Sequence, residues 1–125
     1  MAGRIAYYGG IVKDGLVLNL DAAKTDSYPK IGTAWNDISG NRNNSTLTNG
    51  PTFDSRNGGS IVLDGVNDYG ILNSTLDIGI VGSWSIWLNA TTFGGVIIGS
   101  NIPNYYMLYY DSSIFYINYG GALGS

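Results

Sequence analysis

The residues best suited to chemistry in this sequence are its carboxylates, and all nine are Asp; Glu, His and Cys are absent. The densest group of oxygen-bearing side chains lies in "WNDISGNRNNSTLTNGP", residues 35–51, where Asp37, Ser39, Asn41 and Asn43 alternate. An EF-hand loop begun at Asp37 would need Gly at its sixth position and a bidentate Glu at its twelfth. Arg42 and Thr48 stand there instead, so that reading fails. The simplest account is a turn in which Asn and Ser side chains cap backbone groups. Glycoside hydrolysis needs two neighbouring carboxyl groups, one acting as acid and the other as nucleophile or base. "LDGVNDYG" holds Asp64 and Asp68, but Asp64 precedes Gly65 at a strand end, the usual place for a turn-forming Asp. Without Cys or His, disulfides, zinc sites and nucleophilic triads centred on either residue are excluded. "GGVIIGS" resembles a phosphate loop only in its glycines, with no Lys after it and no helix to aim at an anion.

Aromatic side chains are the second candidate chemistry. Tyr105, Tyr106, Tyr109, Tyr110, Phe115, Tyr116 and Tyr119 fall on both faces of a two-stranded ribbon. One core cannot bury both faces. The ribbon therefore forms a protein interface, packs through cross-strand aromatic pairs, or offers rings and phenols to a glycan. Trp84 reads as core, and Trp87 points to the opposite face of its strand. Sequons at Asn43, Asn44, Asn73 and Asn89 follow from the abundance of Asn, Ser and Thr.

The elements that must position these groups read as strands. The 125 residues suit one domain, and 19 Gly, 13% aromatic and 12% charged residues favour an all-β chain over a helical one. "GLVLNLD" alternates Leu16, Leu18 and Leu20 against Val17, Asn19 and Asp21. "SIVLDGVNDYGIL" predicts two strands around a hairpin turn over 64–67. "SWSIWLNAT" alternates Trp84, Ile86 and Leu88 against Ser85, Trp87 and Asn89. "STLTNG", "GGVIIGS" and the halves of "YYMLYYDSSIFYINY", hinged at Asp111, Ser112 and Ser113, complete about seven strands spaced as in a sandwich or barrel. The net charge of −3, with six scattered Lys and Arg, argues against a nucleic-acid partner. No run is apolar enough for a transmembrane segment, and the start "MAGRIAYYGG" does not read as a signal peptide.

Three blocks together carry a resemblance: "GGIVKDGLVLNLDAAKTDSYP", "GTAWNDISGNRNNSTLTNGPTF" and "GGSIVLDGVNDYGIL". In their order and spacing, the positions around Asp21, Trp35-Asn36-Asp37, Ser39-Gly40-Asn41 and Asp64-Gly65 resemble the opening half of the laminin G-like, concanavalin A-like jelly rolls of tailed (marine-type) bacteriophage structural proteins. The resemblance is close over 11–72 and looser over 84–119. It implies an antiparallel β-sandwich over 11–125, the N-terminal portion of the family fold and so an incomplete jelly roll, behind an N-terminal arm over 1–10. The implied role is non-catalytic: a virion structural protein, assembled in the host cytoplasm and displayed as a decoration or fibre-associated module. Other virion proteins or further copies of the chain would be its partners, together with host surface glycans. Trp87, Tyr105, Tyr109, Tyr110, Tyr116 and Tyr119 are the candidate contact residues. Such jelly rolls often hold calcium at a sheet rim, which makes Asp37 with Asp21, Asp64 or Asp68 the candidate metal ligands; no other cofactor is implied. Two further readings remain, a free lectin-like carbohydrate-binding module and an Asp-based glycoside hydrolase. Hydrolytic members of the family draw both carboxylates from a Glu-rich strand, and this chain has no Glu.

Overall fold

The computed structural model describes residues 10–77, 81–91, 95–99, 106–111 and 114–117. Among these residues the chain is all-β, with small antiparallel sheets, a single 3-10 turn and no α-helix. It divides into two compact units, Met1–Gly82 and Ser83–Ser125.

In the first unit, β1 (Ala34–Trp35), β2 (Ser45–Thr48) and β5 (Tyr69–Leu72) form one sheet in the order β1-β2-β5. The β-branched, alternating "STLT" of β2 buries Ser45 and Leu47 and leaves Thr46 and Thr48 half-exposed, as a one-sided strand requires. β3 (Thr52–Asp54) pairs with β4 (Ser60–Val62) in a second ladder. β2 runs into β3 and β4 into β5, so the two ladders are consecutive stretches of one long hairpin that leaves register once. In the first ladder Thr48 faces Tyr69, and in the second Thr52 faces Val62. Between them, residues 49–51 on one arm and the longer 63–68 on the other are unpaired. The Asn49 side chain spans this break, its Nδ2 donating to the Asn67 carbonyl at 2.7 Å. The predicted hairpin over 64–67 is thereby corrected: the turn is present, but its flanking strands pair with different partners. The loop over 63–68 absorbs a register mismatch instead of reversing a pair.

The hairpin's end is the 3-10 turn Arg56–Gly58, followed by Gly59 at φ +126°. A Cβ on Gly59 would lie 2.8 Å from Phe53 Cζ and 3.1 Å from the Ala22 carbonyl, so only Gly fits there. Phe53 in turn lies against Tyr28, with ring centroids 5.8 Å apart and a 41° tilt. Tyr28 and Leu47, each 2% exposed, and Ala22 are the buried apolar residues among those described. Their polar neighbours are satisfied: the Tyr28 hydroxyl donates to the Gly32 carbonyl at 2.9 Å, and Ser27 Oγ donates to the Asn36 carbonyl while accepting from the Asp21 amide. The core is thin. Ile71, Tyr69 and Val62 sit half-exposed on the sheets, and Leu63 and Val66 stand out in the loop between β4 and β5.

Residues 16–21 do not form the strand that their alternation predicts. Leu16, Leu18 and Leu20 are half-buried as expected, but the segment joins no ladder. Apolar alternation reports which side is covered, and here side-chain amides take the Leu16 and Val17 carbonyls and a carboxylate takes the Asn19 amide.

In the second unit β6 (Gly95–Gly99), β7 (Tyr106–Asp111) and β8 (Ile114–Ile117) make a three-stranded antiparallel sheet, with irregular register between β6 and β7 around Ile98. The predicted aromatic hairpin is present, although Asp111 belongs to β7 and faces Ile114; residues 112 and 113 lie outside the described set. "SWSIWLNAT" is a second correction. Residues 83–90 form no strand and all are exposed, because no ladder accepts their backbone.

Candidate functional site

The polar loop after Trp35 is organised by one carboxylate. Asp37 Oδ1 accepts from the Asn19 and Ser39 amides, both at 2.8 Å, and Oδ2 accepts from Ser39 Oγ at 2.7 Å and the Asn43 amide at 3.0 Å. Its own amide donates to Asn44 Oδ1 at 3.0 Å. Ser39 repeats the device two residues on, its Oγ accepting from the Asn41 amide. Asn41 Nδ2 then donates to the Leu16 carbonyl, and Asn43 Nδ2 to the Val17 carbonyl, both at 2.8 Å. One backbone pair, Ile38 amide to Asn19 carbonyl at 2.9 Å, completes the seam. The alternation of Asp37, Ser39, Asn41 and Asn43 is therefore a side-chain ladder that ties the loop to residues 16–19.

This geometry governs the carboxyl group's charge and its availability. Burial alone would push the Asp37 pKa up, but hydrogen bonds from the Ser39 and Asn19 amides, the Ser39 hydroxyl and the Asn43 amide together hold it below the usual carboxylate value. A carboxylate has about four lone-pair sites, and each of these four donors occupies one. With only 9% of the residue exposed, a cation at Asp37 would have to displace donors that already neutralise it.

The other candidate ligands are employed locally. Asp21 Oδ1 accepts from the Ala23 amide, with Lys24 Nζ 4.0 Å from Oδ2. Asp64 Oδ1 accepts from the Val66, Asn67 and Asp68 amides, and the Val66 and Asn67 bonds foremost lower its pKa. Asp68 Oδ2 accepts from the Asp64 amide, while Asp68 Oδ1 is enclosed without a hydrogen-bond partner. Asp64 and Asp68 thus meet across their own loop. Among the described residues no three acidic side chains converge as a metal centre would need.

The aromatic candidates lie in the second unit. Trp87 is 98% exposed, a bare indole on an unpaired segment, and Trp84, expected in a core, is exposed as well. Tyr109 is half-buried and its backbone faces Val96 on one side and Tyr116 on the other. The backbone of Tyr110 faces Gly95 and Phe115. Tyr105 and Tyr119 lie outside the described residues. Sequence reasoning did not single out Asn19 as a partner of Asp37, or residues 16–19 as the segment to which Asn41 and Asn43 donate. The regular polar spacing of residues 37–43 was the available signal, but it does not name the segment to which the loop is tied.

The first unit is thus a small β-hairpin assembly with carboxylate-stapled loops, and the second a three-stranded sheet carrying tyrosines. Comparison of the chain with models of protein families, with curated proteins and with solved structures finds no match. Among the described residues no helix is long and apolar enough to cross a membrane.

Proposed function

We propose that this chain is a non-catalytic structural module of a tailed-phage particle, built on a laminin G-like jelly-roll plan. In this reading it is displayed on the virion as a decoration or fibre-associated protein and is held there by neighbouring virion proteins or by further copies of itself. The observation that carries the reading is the amount of large apolar side chain left outside: Val62, Tyr69 and Ile71 on the sheets, and Trp84, Ile86, Trp87 and Leu88 on the unpaired segment. Large apolar side chains exposed in each unit support association with a partner. At roughly 25 cal/mol for each Å² covered, burying a patch of ~500 Å² would contribute about 12 kcal/mol. The carboxylates support the non-catalytic part, since Asp37 and Asp64 direct their acceptors at backbone amides of the chain itself. The phage assignment itself rests on the resemblance of residues 11–72.

Copurification with assembled particles, followed by a cryo-EM map of the particle, is the test. A soluble monomer near 13.3 kDa by light scattering that never associates with particles would overturn the proposal. A free lectin-like module is the second reading, favoured by the bare Trp87 indole, on which a sugar ring could stack. Glycan binding by the isolated chain that is lost in Trp87→Ala would establish it.

A further inference from the structure

We propose that Asn57, in the turn that joins β3 to β4, is a site of spontaneous modification to aspartate and isoaspartate. The sequence contains two Asn-Gly pairs, Asn49-Gly50 and Asn57-Gly58, and in both the missing side chain on Gly leaves the following backbone nitrogen open to approach. Both Asn residues are exposed and both have left-handed backbone, at φ +71° and +53°. Neither exposure nor backbone separates them. The side-chain amide does. Asn49 Nδ2 is held by the Asn67 carbonyl at 2.7 Å across the break in the long hairpin, whereas Asn57 has no side-chain hydrogen bond among the described residues. The turn around Asn57 is a single 3-10 turn with no buried residue, and such short exposed turns open locally at little cost.

In the reaction the Gly58 backbone nitrogen attacks Asn57 Cγ. The N–Cγ bond forms, the Cγ–Nδ2 bond breaks, and Nδ2 leaves as ammonia, carrying the proton that the Gly58 nitrogen gives up. Water then opens the five-membered imide. Attack at Cγ leaves an ordinary aspartate, and attack at the main-chain carbonyl leaves an isoaspartyl link with one extra carbon in the backbone. Either product puts a carboxylate beside Arg56, whose guanidinium otherwise pairs with Asp54. The isoaspartyl form also lengthens the backbone of the turn two residues before Gly59, a position with no room for a side chain against Phe53.

The test compares the two Asn-Gly pairs within one molecule. Folded and urea-unfolded samples of the full chain are held in mildly alkaline buffer at body temperature, and the mass gain of amide-to-acid exchange is localised by fragmentation of the intact protein. In urea the two sites should react at similar rates. In the folded chain Asn57 should react faster than Asn49 by roughly two- to tenfold, the factor that one net hydrogen bond provides. Equal folded rates, or a faster Asn49, would overturn the proposal. Asn57→Gln provides a second reading: the mass gain at this turn should disappear while that at Asn49 persists, and an unchanged total gain would count against the assignment.

Discussion

Replacing Asp37 with Ala tests the side-chain ladder most directly. The substitution removes four accepted hydrogen bonds and strands their donors: the amides of Asn19, Ser39 and Asn43, and Ser39 Oγ. Bonds to a charged acceptor contribute about 1.5–3 kcal/mol each when buried, but the donor residues are half-buried and water can reach them once the loop relaxes. A net value of about 1 kcal/mol per bond is therefore appropriate, giving a loss of roughly 3–4 kcal/mol. That is a large share of the ~5–15 kcal/mol of a small domain. Asp37→Asn keeps one acceptor oxygen and turns an NH2 group toward two donors, so it should recover less than half of the loss. Urea unfolding gives the magnitude. Amide hydrogen exchange gives the location, with protection lost first at Asn19, Ser39 and Asn43. Acid adds an independent check. Because the folded pKa of Asp37 is lowered, its contribution is complete above the unfolded pKa of about 3.9 and is lost as pH falls through the folded value. Asp37→Ala should flatten that part of the acid limb. A loss below about 1 kcal/mol, with the acid limb unchanged, would refute the claim that Asp37 organises this loop.

The remaining predictions use the same contacts. Gly59→Ala should destabilise by about 2–4 kcal/mol, combining left-handed strain with the clash at Phe53, whereas Gly50→Ala, with open space at φ +113°, should cost only the strain, about 1–2 kcal/mol; comparing their urea midpoints checks both. Millimolar calcium or EDTA should leave the melting temperature unchanged, because Asp37 has no free acceptor to give; a calcium-dependent rise abolished by Asp64→Asn would instead locate a site in the loop over 63–68. Trp87→Ala should shift stability by no more than about 0.5 kcal/mol, since the indole is 98% exposed, while weakening whatever association the chain makes; pull-down on assembled particles reads the second effect.

How much of this was legible from the residues differs from element to element. β2 and the β7–β8 ribbon were readable because β-branched and aromatic runs bounded by Gly, Asn or Ser state both the strand and its ends. β1 is only Ala34–Trp35, and β3 is "TFD" directly after Pro51, runs too short to show a period. Their pairing comes from the partners β2 and β4. The segment over 83–90 alternates Trp84, Ile86 and Leu88 and forms no strand, because a period-2 pattern specifies a face to cover and leaves open which strand will cover it. The break in the long hairpin was hidden for a related reason. "LDGVNDYG" states a turn, and the usual meaning of a turn between two apolar runs is that the runs pair with each other. Here they do not, because β2 and β3 lie earlier in the chain and claim β5 and β4 one each.

The polar loop shows the reverse case: the sequence favours a capped turn over a cation site, and the hydrogen bonds of Asp37, Ser39, Asn41 and Asn43 show that capping. Asp, Ser and Asn at alternate positions are equally what a cation site, a sugar site and a capped loop would present, since all three need oxygen and amide groups projecting from an irregular backbone. What distinguishes them is whether the acceptors are left over. A ligand site must hold unpaired groups ready and bear the cost of leaving them so, whereas a structural loop has already used its groups on the chain. Asp37 has used all four. Asn41 and Asn43 have spent their amides on the carbonyls of Leu16 and Val17, which a β-partner would otherwise have taken. The polar face that invites a binding assignment is what replaces a missing strand, and the unmet demand lies instead with exposed apolar side chains, Val62, Tyr69 and Ile71 in the first unit and Trp84, Ile86, Trp87 and Leu88 in the second.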